Sequence, residues 1–272
     1  MGLRLAIVFP GQGTAGGEVS DPEVREAVNA RVGDGGVPHQ LSVFASSIDT
    51  LHKVRGNGVE PDVVAGHSLG EYAAAYASGS LGLEDAVRLV AERDRLMSEA
   101  SAESPGGMTV ILGAGTREVV EAVNVAWGTV VAANFNSPRQ TVISGEEDAL
   151  EEVAGRVGGK KRKLDVAGAF HSPLMQGAAI EMDGLLAEVA LADPKIPMIS
   201  GMDGAILAKS DDVRVALRDQ MLSPVRWVAV VERLASLGVE EVVEAGEGTL
   251  IRMLRDFGDV EIKGRAAKEV LV

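Results

Sequence analysis

The run Val63-Val64-Ala65, then Gly66-His67-Ser68-Leu69-Gly70, then Glu71-Tyr72-Ala73-Ala74, constrains this chain more than any other stretch. An apolar strand, a Gly-x-Ser-x-Gly corner and a helix-forming segment together describe a nucleophile elbow. Gly66 and Gly70 let the chain turn sharply, so that Ser68 projects its hydroxyl from a strained strand-to-helix corner. Amides at the start of the next helix then point to where an oxyanion would form, and the helix dipole favours that charge. A bare Gly-x-Ser-x-Gly also occurs in ordinary loops; the strand before it and the helix after it favour the elbow here. The expectation is an acyl-serine intermediate on Ser68.

At 272 residues the chain suits one large domain, or one domain with an insert. Hydrophobic residues make up 46% of it and aromatics only 3%, so the core is built from Ala, Val and Leu and offers no stacking platform for nucleic-acid bases. A net charge of −14 would repel a phosphate backbone, which argues further against nucleic acid. The absence of cysteine removes disulfides, thiol catalysis and cysteine-based metal sites. Leu5–Phe9 is too short for a signal sequence and reads as a buried first strand; Ala6 stands where a myristoylation pattern requires Ser or Thr. No apolar run reaches the roughly 18 residues of a membrane span. These features lead us to expect a soluble, cytoplasmic protein with no membrane partner.

The pattern along the chain is α/β. The Leu5–Phe9 strand ends in the tight turn Pro10-Gly11-Gln12-Gly13, and helices are expected over Pro22–Val32, with Asp21 as N-cap, and Pro38–Val54. After the elbow, Gly70–Tyr76 and Leu83–Ala100 read as helices, and 101–107 as a linker. Then come a strand at Met108–Leu112, a helix at Arg117–Ala126, strands at Val130–Ala133 and Gln140–Ser144, a helix at Glu147–Val157 and a strand at Lys163–Val166. That order is the split, ferredoxin-like arrangement. The expected architecture is a large α/β-hydrolase-like domain with a parallel sheet (residues 1–104 and 168–272) carrying an inserted ferredoxin-like domain (residues 105–167). Beyond the insert, one long helix is expected over Pro173–Ala192, a strand at Met198–Ser200, helices over Val213–Leu222 and Val225–Leu237, a last parallel strand at Glu241–Glu244 and a helix at Thr249–Phe257.

A serine hydroxyl needs a base within hydrogen-bond reach. The chain has four histidines. His39 and His52 lie on or beside an early helix and read as surface residues. His67 adjoins the nucleophile, and adjacent side chains on an extended backbone point apart, so it packs or hydrogen-bonds beside the elbow. His171, just past the insert and before a helix, is the candidate base; the other reading of it is a satisfied histidine at a helix start. The group that orients its imidazole is either an acid, from Asp85, Asp94 or Asp165, or a backbone carbonyl. Arg93 falls on the apolar stripe of its helix, at i+3 from Val90 and i−3 from Leu96. A guanidinium there demands an acceptor, either a structural carboxylate or a substrate carboxylate held in a two-pronged salt bridge. Gln12 and Leu69 are placed to supply oxyanion-hole amides, one after the first strand and one directly after the nucleophile.

Taken together these pieces resemble the malonyl-CoA:acyl carrier protein transacylase family, which includes the acyltransferase domains of fatty acid and polyketide synthases. The matching stretches are Phe9–Gly13, Gly66–Tyr72, Arg93 with Leu96-Met97, Asn134–Pro138, Gly168–Ser172, Gln220 with Pro224–Trp227, and Glu244–Gly246, in the family's order. The resemblance implies that Ser68 carries a malonyl ester, that His171 is its general base and that Arg93 clamps the free malonyl carboxylate. It implies that a main-chain carbonyl of Gln220 orients the imidazole, and that Gln12 and Leu69 donate the oxyanion amides. Asn134 and Asn136 would line the cleft between domains, or else be turn-forming asparagines before Pro138. Phe170 would crowd a branch at the acyl α-carbon, a preference worth about 1–3 kcal/mol for one methyl. The implied partners are malonyl-CoA and a phosphopantetheinylated acyl carrier protein, with no metal or cofactor.

Carrier proteins are commonly acidic, so docking on this acidic chain calls for a local basic patch. Lys160-Lys161-Arg162-Lys163 is the candidate; the alternative is a solvated turn that discourages strand pairing. Three departures from the family pattern stand out: Gly13-Thr14-Ala15 where Ser-Gln is usual, Glu247 where proline is usual, and a segment between Gln12 and Ser68 shorter by about two helices. The face that segment covers is therefore expected to be exposed or filled by a partner. Two rival functions share parts of the pattern: a serine esterase or thioesterase, and a non-catalytic domain that only docks carrier proteins.

Overall fold

The computed structural model describes residues 3–33 and 35–271. Leu5–Phe9 forms β1, whose run of apolar residues lacks polar alternation because both of its faces are covered. Ile7 and Phe9 enter one core, and Ala6 and Val8 enter a second on the opposite side. Helices α1 (Pro22–Val32) and α2 (His39–Gly56), strand β2 (Val63–Gly66) and helices α3 (Gly70–Ala77) and α4 (Leu83–Glu103) follow. Next come β3 (Gly107–Leu112), α5 (Thr116–Asn124), β4 (Val130–Ser137), β5 (Gln140–Gly145), α6 (Glu147–Arg156) and β6 (Lys160–Lys163). The chain returns through α7 (Gln176–Ala187), β7 (Met198–Ile199), β8 (Ile206–Leu207), α8 (Ser210–Asp219), α9 (Trp227–Ser236), β9 (Glu241–Glu244), α10 (Thr249–Met253) and β10 (Lys263–Ala266).

Two sheets result. The larger has the order β10-β9-β1-β2-β7-β8 and is parallel except for β8, which pairs antiparallel with β7 at the edge. The smaller has the order β4-β5-β3-β6, every pair antiparallel, and is drawn from one continuous stretch of chain. One of its faces is covered by α5 and α6 around Ile111, Val119, Ile143 and Val153. The other carries Met108, Val110 and Val142 into the main core. Because β1 lies between β9 and β2, the loops leaving their carboxyl ends gather at one edge, where ligands of open parallel sheets are commonly bound.

Several expectations from the sequence are corrected. The last strand of the smaller sheet is Lys160–Lys163 rather than Lys163–Val166: Gly159, at φ 75°, turns the chain, and the basic tract pairs with Leu112 back to Thr109. An exposed row of like charges is tolerated because β6 is an edge. The long helix over Pro173–Ala192 is a 3₁₀ turn (Pro173–Met175) followed by α7, which stops at Ala187. Beyond it the chain runs out to hydrogen-bond Ser78 and Ser80 through the amides of Lys195 and Ala192. Glu241–Glu244 is not the last parallel strand, since the charged Lys263–Ala266 adds an edge strand beside it.

Asn134 and Asn136 are not in a turn. They lie on β4, which runs to Ser137 and shifts register against β5 twice, between Ala132 and Asn134 and between Phe135 and Ser137. Within the shortened segment between Gln12 and Ser68, α2 buries ten residues, with α1, α3 and α4 packed against it. The strap leading into α1 lies so close to α2 that a Cβ at Gly16 would be 2.0 Å from the Ser42 hydroxyl.

Candidate active site

The elbow is held by contact between backbones. A Cβ at Gly66 would lie 2.1 Å from the carbonyl carbon of Gly70, and one at Gly70 would lie 2.2 Å from the Phe9 oxygen. With both side chains absent, α3 starts directly against the end of β1, and His67 N donates to Phe9 O at 2.9 Å. Ser68 takes φ 54° at the apex and His171 takes φ 57° in the turn before the 3₁₀ helix. Among the described residues these are the two non-glycine residues with positive φ. Each such conformation costs of order 1–3 kcal/mol and persists only where its surroundings impose it.

The two strained residues meet. Ser68 Oγ lies 2.7 Å from His171 Nε2, and both side chains are buried. His171 Nδ1 lies 2.8 Å from Gln220 O and 3.1 Å from Ser223 O. Carbonyl oxygens only accept, so Nδ1 carries the proton, Nε2 presents its lone pair, and the serine hydroxyl donates to it. None of Asp85, Asp94 or Asp165 takes the orienting position; backbone carbonyls do. Burial pushes the imidazole pKa down to about 4, and the nearby Arg93 cation pushes the same way. It is therefore neutral through the physiological range, the state a general base requires.

Arg93 is fully buried on α4. Its Nη2 donates to Ser68 Oγ at 3.1 Å and to Gln220 Oε1 at 3.3 Å, its Nη1 donates to Gln40 Oε1, and its guanidinium lies 5.9 Å from the centroid of the Tyr72 ring. Every acceptor is neutral, and Nε has no partner. Burial holds its pKa below the ordinary arginine value. A buried cation with no carboxylate among its hydrogen-bond partners is costly, and its site suits an anion.

A cavity of about 350 Å³ opens over this pair. Ser68, His171, Phe170, Gln12, Asn134 and Asn136 all line it, so the structure brings these sequence candidates together. Neither the Gln12 nor the Leu69 amide donates to an acceptor among the described residues, whereas the amides of Gly70 and Glu71 are used within the turn. His67 sits beside the elbow as expected, with Nε2 2.8 Å from Asn136 Oδ1 and its ring against Trp227.

The basic tract is divided by strand alternation. Lys160 and Arg162 line the cavity beside Leu112 and Val110. Lys161 and Lys163 point to the other face, where Lys161 Nζ donates to Val157 O at 2.6 Å and Lys163 pairs with Glu147 at 2.8 Å. Sequence reasoning missed Gln40, Ser223 and a link made by His39, whose Nε2 lies 2.8 Å from Gln12 O and so fixes that peptide. Gln40 lies four residues before Phe44 and eight before Ile48, both buried, so it carried the signal that marked Arg93: a polar residue on an apolar stripe.

Acyl transfer is the chemistry that a serine elbow, a neutral imidazole and unoccupied amides can perform. The chain belongs to the acyl transferase domain family, whose model matches residues 32–252. It is 36% identical over 219 residues to the malonyl CoA-acyl carrier protein transacylase of Bacillus subtilis (strain 168), covering 78% of this chain and 69% of that protein. The crystal structure of an acyl carrier protein S-malonyltransferase from Vibrio cholerae is similar at a TM-score of 0.88 and 31% identity, covering 97% of this chain and 96% of that one. A malonyl-transacylase solved in complex with its type II PKS acyl-carrier protein is similar at a TM-score of 0.87 and 30% identity, covering 97% and 95%.

Proposed function

We propose that the protein moves a malonyl group from CoA to the phosphopantetheine thiol of an acyl carrier protein, through a malonyl ester on Ser68. The observation that carries this reading is Arg93: a buried guanidinium, satisfied only by neutral acceptors, that touches the nucleophile itself. An esterase for uncharged acyl groups has no use for such a cation, whereas a dicarboxylic acyl group supplies its missing anion.

In the first half-reaction His171 Nε2 takes the proton of Ser68 as Oγ attacks the thioester carbonyl. The developing oxyanion is received by the amides of Gln12 and Leu69. The C–S bond then breaks, and the CoA sulfur leaves with the proton from His171. In the second, the carrier's thiol gives its proton to His171, attacks the ester and returns Ser68 to its hydroxyl form. The carbonyls of Gln220 and Ser223 steady the imidazole throughout. These residues supply nucleophile, base and charge, so the reaction as drawn calls for no metal or cofactor. Phe170 stands at the cavity wall beside the base, where a branched α-carbon would press on it. Asn134 and Asn136 line the same wall from β4.

The fold supports the same reading. Residues 1–104 and 168–272 fit an α/β-hydrolase-like catalytic domain with the nucleophile after β2. Residues 105–167 fit an inserted ferredoxin-like domain by their antiparallel order β4-β5-β3-β6. Of the tract Lys160, Lys161, Arg162 and Lys163, proposed as the carrier-docking patch, Lys160 and Arg162 are the members that line the cavity, where an anionic substrate end would lie.

Intact-mass spectrometry after mixing with malonyl-CoA tests the proposal. One malonyl adduct is expected, absent in Ser68→Ala and discharged by holo carrier protein faster than by water. Discharge at the same rate without carrier would make the protein a hydrolase. No adduct on the folded protein would leave a carrier-binding module.

A further inference from the structure

Glu71 is a buried acid to which the reaction above gives no task. It stands three residues after the nucleophile, in the first turn of α3, and is 1% exposed. A carboxyl group is costly to bury unless it is hydrogen-bonded. Its partner is a backbone amide: Oε1 accepts from Gly201 N at 2.8 Å. Gly201 belongs to the turn after β7, packed so tightly on the elbow that a Cβ there would be 3.0 Å from Gly66 O and 3.2 Å from Glu71 Oε1.

The contact continues. Gly201 O accepts from Arg226 N at 2.7 Å. Arg226 closes the segment 220–226, whose carbonyls at Gln220 and Ser223 hold His171 Nδ1. β4 grips the same segment from its other side, where Val225 N donates to Ala133 O and Phe135 N to Val225 O, both at 2.8 Å. The path from Ser68 to Glu71, Gly201, Arg226, Ser223 and His171 returns to Ser68 across the 2.7 Å hydrogen bond, which makes it a closed circuit. A triad acid would orient an imidazole by its own charge. Neutral carbonyls on a loop orient it only as well as the loop itself is held.

We propose that Glu71 is a positioning residue: through Gly201 and Arg226 it fixes the carbonyls that orient His171, and so sets the distance between base and nucleophile. The inference rests on the reading of Ser68 and His171 as the acylating pair. Burial pushes the Glu71 carboxyl up to about 8, with the Gly201 amide and then Arg93 on α4 acting against that shift and Asp203 with it. Glutamine keeps the acceptor oxygen that Glu71 offers to Gly201 N.

The rate at which a fluorophosphonate probe labels Ser68 tests the circuit without any need for malonyl recognition. A misplacement of about 1 Å can cost roughly 10²-fold in rate, so Glu71→Met, which has no acceptor oxygen, should label about 10²-fold more slowly, while Glu71→Gln stays close to wild type. Should the Met variant not fold, Arg226→Pro removes the next link by deleting the amide, and Arg226→Ala keeps it. The Pro variant should label slowly and the Ala variant normally. Equal labelling by the Gln and Met variants, or by the Pro and Ala variants, would overturn the proposal. Failure of the malonyl reading alone would leave wild-type labelling and both contrasts intact.

Discussion

Arg93 Nη2 donates to Ser68 Oγ at 3.1 Å, so the hydroxyl that donates to His171 also accepts from a buried cation. Two consequences follow from chemistry alone. The cation stabilises negative charge as it develops on Oγ during attack. Once Oγ becomes an ester oxygen it is a poor acceptor, and the guanidinium turns to the carboxylate at the far end of the short malonyl chain. The same group thus serves the nucleophile before acylation and the acyl chain after it.

Truncating one partner of a buried, hydrogen-bonded charge pair costs about 2–5 kcal/mol, so Arg93→Ala should reduce malonyl loading by about thirtyfold or more. Acetyl loading loses only the stabilisation of Oγ that both substrates share, so the malonyl-to-acetyl ratio should fall and acetyl should become competitive. Adduct formation from the two thioesters, measured side by side, checks the ratio; an unchanged ratio would remove Arg93 from substrate selection.

The pH dependence follows from His171. With its pKa near 4, loading measured as kcat/KM should be flat through neutrality and fall only as the pH drops toward 4. Burial is the larger cause and the Arg93 cation the next. A bound malonyl carboxylate neutralises part of that cation, so the acid limb in kcat should lie at higher pH than the limb in kcat/KM. Coincident limbs would mean that the cation and the imidazole do not sense each other.

How much of this site could be read from the sequence depended on whether the information was local. Ser68, Gly66 and Gly70 are neighbours in the chain, so the corner they build is written in one short motif. Arg93 is visible as a charge on an apolar stripe, yet the stripe leaves its two readings equal because the identity of its acceptors is tertiary. His171 stands out once the other histidines are set aside, but the carbonyls of Gln220 and Ser223 carry no side-chain signature at all. The same limit hid the run of β4 to Ser137, on which Asn134 and Asn136 line the cavity from what reads as a turn before Pro138. Edge strands were the least legible elements, because Lys160–Lys163 and Lys263–Ala266 are paired on one side only and need no apolar pattern.

Strand alternation predicts an uneven result within the basic tract. Lys160→Glu with Arg162→Glu should raise KM for both malonyl-CoA and the carrier, because both substrates bring a phosphate to the cavity that these cations line. Lys161→Glu with Lys163→Glu should act mainly through lost contacts to Val157 and Glu147, with little effect on either KM. The first pair's effect should shrink as salt is added, since exposed charges are screened within about 10 Å at 0.1 M ionic strength. Steady-state kinetics at two ionic strengths separates the pairs. Equal effects of both double variants would refute the division.

Glu71 links pH to stability as well as to geometry. Its carboxyl sits at about 8 in the fold against an ordinary 4.5, so the folded state holds a proton that the unfolded chain releases. The resulting stabilisation is fully present below about 4.5 and is lost as the pH rises through 8, a change of up to about 5 kcal/mol by linkage. Glu71→Gln cannot ionise. Thermal denaturation of the two proteins across that range should show wild type losing ground to the variant as the pH rises. Parallel curves would place the Glu71 carboxyl at an ordinary pKa.

The elbow glycines offer the sharpest steric contrast. A methyl at Gly70 would meet the Phe9 carbonyl oxygen at 2.2 Å, and both groups are backbone that cannot swing aside. Overpacking usually costs about 1–3 kcal/mol when side chains can adjust; here β1 and α3 themselves must separate. That would widen the gap between the Leu69 amide and the turn after β1 where Gln12 sits. Gly70→Ala should therefore lower the melting temperature and also slow the acylation of Ser68 in whatever fraction remains folded. Gly13 lies in the same turn as Gln12 with nothing within 4 Å of an added Cβ, so Gly13→Ala should leave stability near wild type. Comparing the two variants by calorimetry and by single-turnover loading tests whether contact at the corner, rather than glycine content near the site, holds the nucleophile in place.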